Sequence, residues 1–448
     1  MRGPLFLLMS KGITIHYNWR VSKEEKMNIT ILNGNTDSTA FESYLAELRS
    51  SLEGNNHQVT QLDLRELELK YCIGCFDCWT KTPGICNADE ASQEMDRAVI
   101  NSNFTLWAAP LKMGFPTAML KMAFDKHLPL IHPYMVVDQN EAHHLKRYEK
   151  YPRVGMLVER EMDTTNKDLQ IITDIFSRTA LNFKSKLDFM ETTDLDVEGL
   201  NQKILQPRRG PHLYQKKPGP IPGLTITPPK NITIFNGSPR GKKGNTPIML
   251  GEFMKGFGGE ANIHHIVRVK EIDDQVRAFE EADCVWLGFP LYTDGMPGVV
   301  KSFIEALEPL KRSENNPPIG FLVQSGFPEG LHSRYVERYL EGLASRLGSP
   351  YLGTVIKGNG EGTRIMPTEA NQSLFENLNC LGASFKETGK LDPGILKEIA
   401  KPEHFPVILN PIYRFFLRLP IAHGYFDRML HDNNAYEKRN DRPFVNSD

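Results

Sequence analysis

The chain has 448 residues, with 53 Lys or Arg against 55 Asp or Glu and a formal net charge of -2. That length is enough for two or three domains, each with its own core. The near-neutral charge gives no overall field to attract nucleic acid, and no run of about 18 apolar residues is present to span a bilayer.

The opening segment MRGPLFLLMSKG has one Arg and a short apolar run. It lacks the longer apolar stretch and the small-residue cleavage site that are typical of a secretory signal. Residues 1–26 are therefore predicted to be an N-terminal extension ahead of the first domain.

The chain repeats two of its segments about 200 residues apart. NITILNG at Asn28–Gly34 returns as NITIFNG at Asn231–Gly237, and PLKMGFPTAMLK at Pro110–Lys121 returns as PLYTDGMPGVVK at Pro290–Lys301. Solenoid repeats have periods of about 20–50 residues. A period this long indicates two copies of a whole domain.

In the first copy, strand patterns alternate with helical patterns. We expect strands at Asn28–Asn33, Gln58–Leu64, Asn103–Ala108, Arg153–Val158 and Leu187–Met190. We expect helices at Ser38–Leu52, Thr117–His127 and about Asp168–Lys184. Strands separated by crossover helices predict a parallel sheet covered on both faces. Five of them suit a doubly wound α/β sheet of flavodoxin-like order, in which ligands bind beyond the carboxyl ends of the strands.

The second copy follows the same plan. Its strands are predicted at Asn231–Phe235, Ala261–Val267, Cys284–Gly288, Ile319–Gln324 and Tyr351–Ile356. The segment before it is rich in Pro, Gly and basic residues, which is typical of a linker. The predicted divisions are a first domain at 27–200, a linker at 201–229, a second domain at 230–400 and a tail at 401–448.

The tail contains the aromatic and basic run ILNPIYRFFLRLPIAHGYF. Such a run could make peripheral contact with a membrane surface. Two prolines interrupt any long amphipathic helix, which favours packing of the tail back onto the domains.

A glycine-rich loop, NGSPRGKKGNT at residues 236–246, lies between the first strand and the first helix of the second copy. It offers backbone N–H groups, the hydroxyls of Ser238 and Thr246, and the positive end of a helix dipole. These groups predict a site for a phosphate monoester, to which Arg240 can add charge. An ordinary turn with a helix cap is the alternative interpretation.

This loop and the later segment GFPLYTDGMPGVVKSFIE together resemble the NADPH-dependent FMN reductase family of flavodoxin-like proteins. The resemblance implies that the flavin phosphate is held by Ser238, Arg240, Asn245 and Thr246. It implies that the isoalloxazine ring is lined by Pro290, Leu291, Tyr292, Thr293, Gly295 and Met296. It also implies that the loop Gln324–Gly330, with Ser325 and Gly326, contacts the other edge of the ring, and that NAD(P)H is the co-substrate.

The two copies are not equivalent. The corresponding loop of the first copy, Asn33–Thr39, lacks the SPRGKKG stretch and contains Asp37, whose charge disfavours a nearby phosphate. Its third loop, Glu159–Asp163, carries three acids. We therefore predict FMN in the second copy, with the first copy supplying the surface that a second subunit supplies in a homodimer. Pairing within the chain and pairing through a homodimer both remain open.

Four cysteines, Cys72, Cys75, Cys78 and Cys86, form a C-x2-C-x2-C-x7-C run in the first copy. Close spacing lets thiolates converge as an Fe–S cluster requires, and four thiolates also suit zinc. The segment resembles the compact motif of iron–sulfur flavoproteins, a branch of the same family that binds FMN and a [4Fe-4S] cluster. It equally resembles a GCFxCWxKTPGxC segment of flavodoxin-like oxidoreductases that have no proven cluster. A cluster, zinc, a redox dithiol and reduced thiols in a packed loop all stay open.

The leading hypothesis is a cytoplasmic, FMN-dependent NAD(P)H oxidoreductase that passes electrons to a quinone-like, nitro or metal-centre acceptor. No catalytic side chain is assigned, because the flavin carries the chemistry. One alternative is an electron-transfer flavoprotein with an Fe–S cluster that exchanges electrons with a redox protein. Another is a non-catalytic scaffold with a structural metal.

Overall fold

The computed structural model describes residues 26–138, 140–208, 217–259, 261–404, 414, 415, 417 and 419–445. The predicted N-terminal extension up to residue 25, part of the linker and the first part of the tail lie outside these ranges. In the described part of the chain, no helix combines the length and the apolar character needed to cross a bilayer.

The first domain is built on a parallel sheet in the order β2-β1-β3-β7-β8, with β4 paired to β3 and a separate hairpin of β5 and β6. Its strands are β1 Asn28–Asn33, β2 Gln58–Asp63, β3 Phe104–Lys112, β4 Phe115–Pro116, β5 Ile131–Asp138, β6 Glu141–Lys146, β7 Arg153–Glu159 and β8 Leu187–Thr192. Its helices are α1 Thr39–Gly54, α2 Asp77–Thr80, α3 Glu90–Ile100, α4 Ala118–Lys126, α5 Asn166–Asn182 and α6 Val197–Leu205.

The second domain repeats the plan, with a parallel sheet in the order β10-β9-β11-β12-β13. Its strands are β9 Ile232–Asn236, β10 Ala261–His265, β11 Val285–Pro290, β12 Ile319–Gln324 and β13 Tyr351–Lys357. Its helices are α7 Asn245–Phe257, α8 Ile272–Glu280, α9 Gly298–Ala306, α10 Leu331–Leu347, α11 Gly362–Ile365, α12 Gln372–Thr388 and α13 Pro393–Ile399, and the tail adds α14 Pro420–Asp432. Both sheets follow the flavodoxin-like order, so the predicted fold class of two flavodoxin-like domains is confirmed.

Local patterns explain these elements. Every residue of β11 (VWLGFP) and β12 (IGFLVQ) is buried, as expected for parallel strands covered by helices on both faces. Helix α1 starts at the cap residue Ser38, whose side chain accepts from the backbone N–H of Phe41. Its buried side chains recur at helical spacing along one face, which packs on the sheet.

The two domains pair within the chain, through α4 against α9 and α5 against α10. Each of α4 and α9 caps the other. The Asp125 carboxylate accepts a 2.7 Å hydrogen bond from the backbone N–H of Gly298 at the start of α9, and Glu305 accepts one of 2.7 Å from Ala118 at the start of α4. Because a carboxylate at a helix N-terminus is stabilising, this reciprocal contact favours the paired arrangement.

The linker and tail pack on the domains where the structure describes them. Residues 201–205 belong to α6, and the backbone N–H of Leu224 donates to Tyr351 at 2.8 Å. In the tail, the Tyr134 hydroxyl of the first domain donates to Asp427 at 2.6 Å, and Asn101 donates to the carbonyl of Phe444 at 2.7 Å. The described tail therefore folds back onto the first domain, as the sequence favoured.

Candidate functional site

A cavity of about 420 Å³ lies beyond the carboxyl ends of β9, β11 and β12, between the two domains. Most of the predicted cofactor-binding residues line it, namely Ser238, Arg240, Asn245, Pro290, Leu291, Tyr292, Thr293 and Gly326. The others are buried behind this surface and do not line the cavity, namely Thr246, Gly295, Met296 and Ser325. These residues lie at or behind one cavity, and their predicted role in binding a cofactor stays a prediction.

The loop between β9 and α7 leaves polar groups at the start of a helix. The cap residue Gly244 provides no side-chain hydrogen bond to α7, and a Cβ built on it would lie 2.0 Å from Ser238 Oγ. The buried atoms Thr246 Oγ1 and Asn245 Oδ1 have no hydrogen-bond partner among the described residues. Buried polar atoms are nearly always paired, and the Thr246 hydroxyl is one that can donate, so this loop fits an anionic ligand such as a phosphate.

Arg240 joins this loop to two other segments. Its Nε and Nη2 donate to the carbonyl of Gly74 at 2.8 and 2.6 Å, and its Nη1 donates to the Glu361 carboxylate at 2.9 and 3.1 Å. The guanidinium also lies over the ring of Phe76, 4.6 Å from the centroid. Arg240 thus holds the cysteine segment of the first domain against the cavity, and its predicted contact with phosphate stays a prediction.

The loop after β11 forms a tight turn. Tyr292 and Gly295 exchange two backbone hydrogen bonds of 2.9 Å, and the central residues Thr293 and Asp294 have φ of 42° and 59°. Two successive positive φ values are typical of a type I′ turn. The turn presents Thr293 to the first domain, where Lys121 Nζ donates to its hydroxyl at 2.7 Å.

A charge cluster formed by the first domain, the linker and Asp294 of the turn lies behind the turn. Asn182 donates to both oxygens of Asp294 at 2.9 and 3.1 Å, and Arg178 Nη1 lies 2.8 Å from Glu141. Lys217 Nζ lies 2.5 Å from the other oxygen of Glu141. Burial raises the pKa of Glu141, but Arg178 and Lys217 outweigh it and bring the pKa down to about 2. The carboxylate is therefore ionised and paired at neutral pH.

Aromatic side chains that sequence reasoning did not assign form one wall of the cavity. Trp79 stacks on Phe76 with ring centroids 5.2 Å apart, and Phe426 of the tail meets Trp79 edge-on at 5.7 Å. The Trp79 indole donates to the carbonyls of Leu128 and Ile131 at 2.9 and 3.0 Å, which fixes its ring. The sequence offered one indication of this wall, namely the expectation that the first copy supplies the surface that a second subunit supplies in a homodimer. Phe76 and Trp79 belong to that first copy.

The corresponding loops of the first copy are filled by their own acids. Ser38 caps α1, and the Glu42 carboxylate accepts from the side chain of Asn35 at 3.0 Å. Glu161 accepts 2.9 and 2.6 Å hydrogen bonds from the backbone N–H groups of Met113 and Gly114, after β3. Donors that a ligand would use are already paired there, which distinguishes this copy from the second.

The four clustered cysteines do not form a ligand set. Among the described residues, no three or more His, Cys, Asp or Glu side chains are arranged to hold a metal ion. Burial raises the pKa of the Cys72 thiol to about 12 and that of Cys78 well above its usual value. A bound metal would require these thiols to lose their protons. The metal assignment of Cys72, Cys75, Cys78 and Cys86 stays a prediction.

Comparisons with known proteins give similarity to solved structures only. No family model and no curated protein matches the chain. The azoreductase AzrA is similar with 15% identity and a TM-score of 0.28, over 35% of this chain and 100% of that chain. General stress protein 14 from Treponema denticola, in complex with FMN, has 15% identity and a TM-score of 0.29, over 36% and 98%. An NAD(P)H:quinone oxidoreductase from Methanothermobacter marburgensis has 11% identity and a TM-score of 0.29, over 35% and 96%. Each similarity thus spans about a third of this chain and nearly all of the other protein.

Proposed function

We propose that the protein is an FMN-dependent oxidoreductase that takes electrons from NAD(P)H and passes them to a small-molecule acceptor. The observation that carries this proposal is the position of the cavity. It lies at the carboxyl ends of β9, β11 and β12, where a flavodoxin-like sheet binds its ligand, and the motif residues Ser238, Arg240, Asn245 and Tyr292 line it.

The residues present fit the cofactor. The unpaired hydroxyl of Thr246, with Ser238 and the uncapped start of α7, would supply a phosphate cradle. The Tyr292 and Thr293 turn, opposite the loop after β12, would hold the ring. Bound FMN would supply the transfer of two electrons between NAD(P)H and the acceptor.

The chain's own residues would shape that chemistry. The wall of Phe76, Trp79 and Phe426 offers flat apolar faces to the cavity. Asp294 is held by Asn182, and burial raises the pKa of its carboxyl group. These features support a planar, largely apolar acceptor of the quinone-like or nitro class more than a protein partner or a metal centre.

A direct test is to purify the protein and record its visible spectrum, then to titrate the flavin-free protein with FMN. We expect flavin absorbance or uptake, and oxidation of NADH or NADPH when a quinone or nitroaromatic acceptor is added. Arg240→Ala is expected to weaken FMN binding at least tenfold, whereas Arg268→Ala, an exposed residue that pairs with Glu271, is not. Absence of flavin together with failure to take up FMN would remove the proposal.

The cysteines require a separate measurement. Iron, sulfide and zinc are to be assayed on protein purified without oxygen. Four irons and four sulfides per chain would establish the cluster and favour the electron-transfer alternative, and stoichiometric zinc without flavin would favour the scaffold. Metal-free protein with titratable thiols would leave the flavin proposal intact and end the metal assignment of Cys72, Cys75, Cys78 and Cys86.

A further inference from the structure

The carboxylate of Glu361 lies against the loop that is predicted to hold a phosphate. It accepts 2.9 and 3.1 Å hydrogen bonds from Arg240 and one of 2.9 Å from Asn245 Nδ2. We propose that Glu361 occupies the anion position of the β9–α7 loop until a phosphate group replaces it, so that this residue sets the affinity for the phosphorylated flavin over riboflavin. This inference rests on the proposed function, because it concerns the same site.

The loop attracts an anion independently of Glu361. Two of the groups that bind the carboxylate, Arg240 and Asn245, belong to the loop and to the first turn of α7. The hydroxyl of Thr246 is fully buried in that turn and has no partner among the described residues. Positive charge, a helix N-terminus and an unpaired hydroxyl together favour a group with more acceptor oxygens than one carboxylate can offer.

Glu361 is placed so that it can leave. It is flanked by Gly360 and Gly362, and its side chain is 22% exposed. The backbone N–H of Gly360 stays fixed by a 2.7 Å hydrogen bond to Ser325. Arg364 Nη2 lies 2.6 Å from the carboxylate, so a displaced Glu361 keeps a cationic partner. Release therefore requires movement of one side chain rather than refolding of the loop.

The first copy has a related arrangement. There the acid beside the corresponding loop is Glu42, which accepts from Asn35 at 3.0 Å and from Arg65 at 3.4 Å. It lies within the first turn of α1, a regular helix of 16 residues. The loop of that copy contains no arginine, so Glu42 pairs with a cation outside the loop, whereas Glu361 pairs with Arg240 of the loop itself.

Substitution of Glu361 by Gln tests this competition. The change keeps the shape and removes one negative charge from the position of the phosphate. We expect the Kd for FMN to fall at least tenfold, because FMN no longer competes with a carboxylate. The Kd for riboflavin, which lacks the phosphate, is expected to change less than threefold. Glu369→Gln is the matched control, because Glu369 is an exposed acid on the following segment and its removal changes the net charge equally.

Binding is measured by quenching of flavin fluorescence, and a thermal-shift titration with inorganic phosphate adds a readout without flavin. Phosphate is expected to stabilise the Glu361→Gln protein at lower concentrations than the native protein or the control. Unchanged or weaker FMN binding in the variant, or an equal gain in the control, would overturn the inference and leave the function standing. If no flavin binds any of the proteins, the proposed function fails, and the phosphate titration alone decides whether Glu361 fills an anion site.

Discussion

The charge cluster behind the β11 turn gives a stability prediction whose size and sign follow from Glu141. This carboxylate joins the β5–β6 hairpin to Arg178 on α5 and to Lys217 in the linker, with its side chain only 3% exposed. Its pKa is lowered from 4.5 to about 2, because the two cations outweigh the effect of burial. At about 1.4 kcal/mol for each pKa unit, ionised Glu141 contributes about 3 kcal/mol to the free energy of unfolding.

The pH dependence follows from the direction of the shift. The folded chain holds the proton of Glu141 less tightly than the unfolded chain, so the contribution is fully present above about pH 4.5. It is lost as the pH falls through about 2, where both states become protonated. Glu141→Gln mimics the protonated form, so we expect it to lower the free energy of unfolding by about 3 kcal/mol at pH 7, by about half as much at pH 3 and by little at pH 2.

The measurement is urea unfolding followed by tryptophan fluorescence at several pH values, with linear extrapolation. Glu149→Gln is the control, because Glu149 is 75% exposed and its 2.8 Å pair with Arg442 lies in solvent. We expect no measurable change from that variant at any pH. A loss for Glu141→Gln that stays constant between pH 2 and pH 7, or that grows at low pH, would refute the reasoning.

Two further predictions use matched pairs within the chain. Asp125→Asn and Glu305→Gln each weaken one half of the reciprocal α4–α9 contact, so both should lower the unfolding midpoint in urea. Of the two residues, only Asp125 lines the cavity, so only Asp125→Asn should also weaken FMN binding. Equal effects of both variants on FMN binding would contradict this. Gly244→Ala places a Cβ 2.0 Å from Ser238 Oγ and should weaken FMN binding at least tenfold, whereas Gly251→Ala has open space and should stabilise α7 by about 0.5–1 kcal/mol. Normal FMN affinity in Gly244→Ala would show that the loop does not contact the phosphate.

The sequence predicted the features that short stretches of chain determine, namely the strands, the helices and the β9–α7 loop. The order of strands and helices was readable because β1 and β9 are apolar runs followed by a turn and an amphipathic helix. The β9–α7 loop was found for the same reason, since Ser238, Arg240 and Asn245 lie within eight residues of one another. Comparison of the two copies then indicated that the second copy retains this loop.

The rest depends on contacts between distant segments. Glu361 lies 121 residues from Arg240, and nothing in its local sequence distinguishes it from other surface acids. Nothing in the sequence around Trp79 indicates a cavity wall, because its ring forms that wall together with Phe426 from the distant tail. The hairpin of β5 and β6 was missed because it pairs with neither main sheet and reads as a connection between them.

The reciprocal capping of α4 and α9 has a consequence for how the cavity behaves on dilution. When the two halves of a binding site are separate molecules, the site is lost as the concentration falls below that needed for association. Here a single polypeptide carries both halves, and the linker keeps their effective concentration high. The site should therefore persist at any protein concentration, and each half was free to change without the constraint that identical subunits impose on one another.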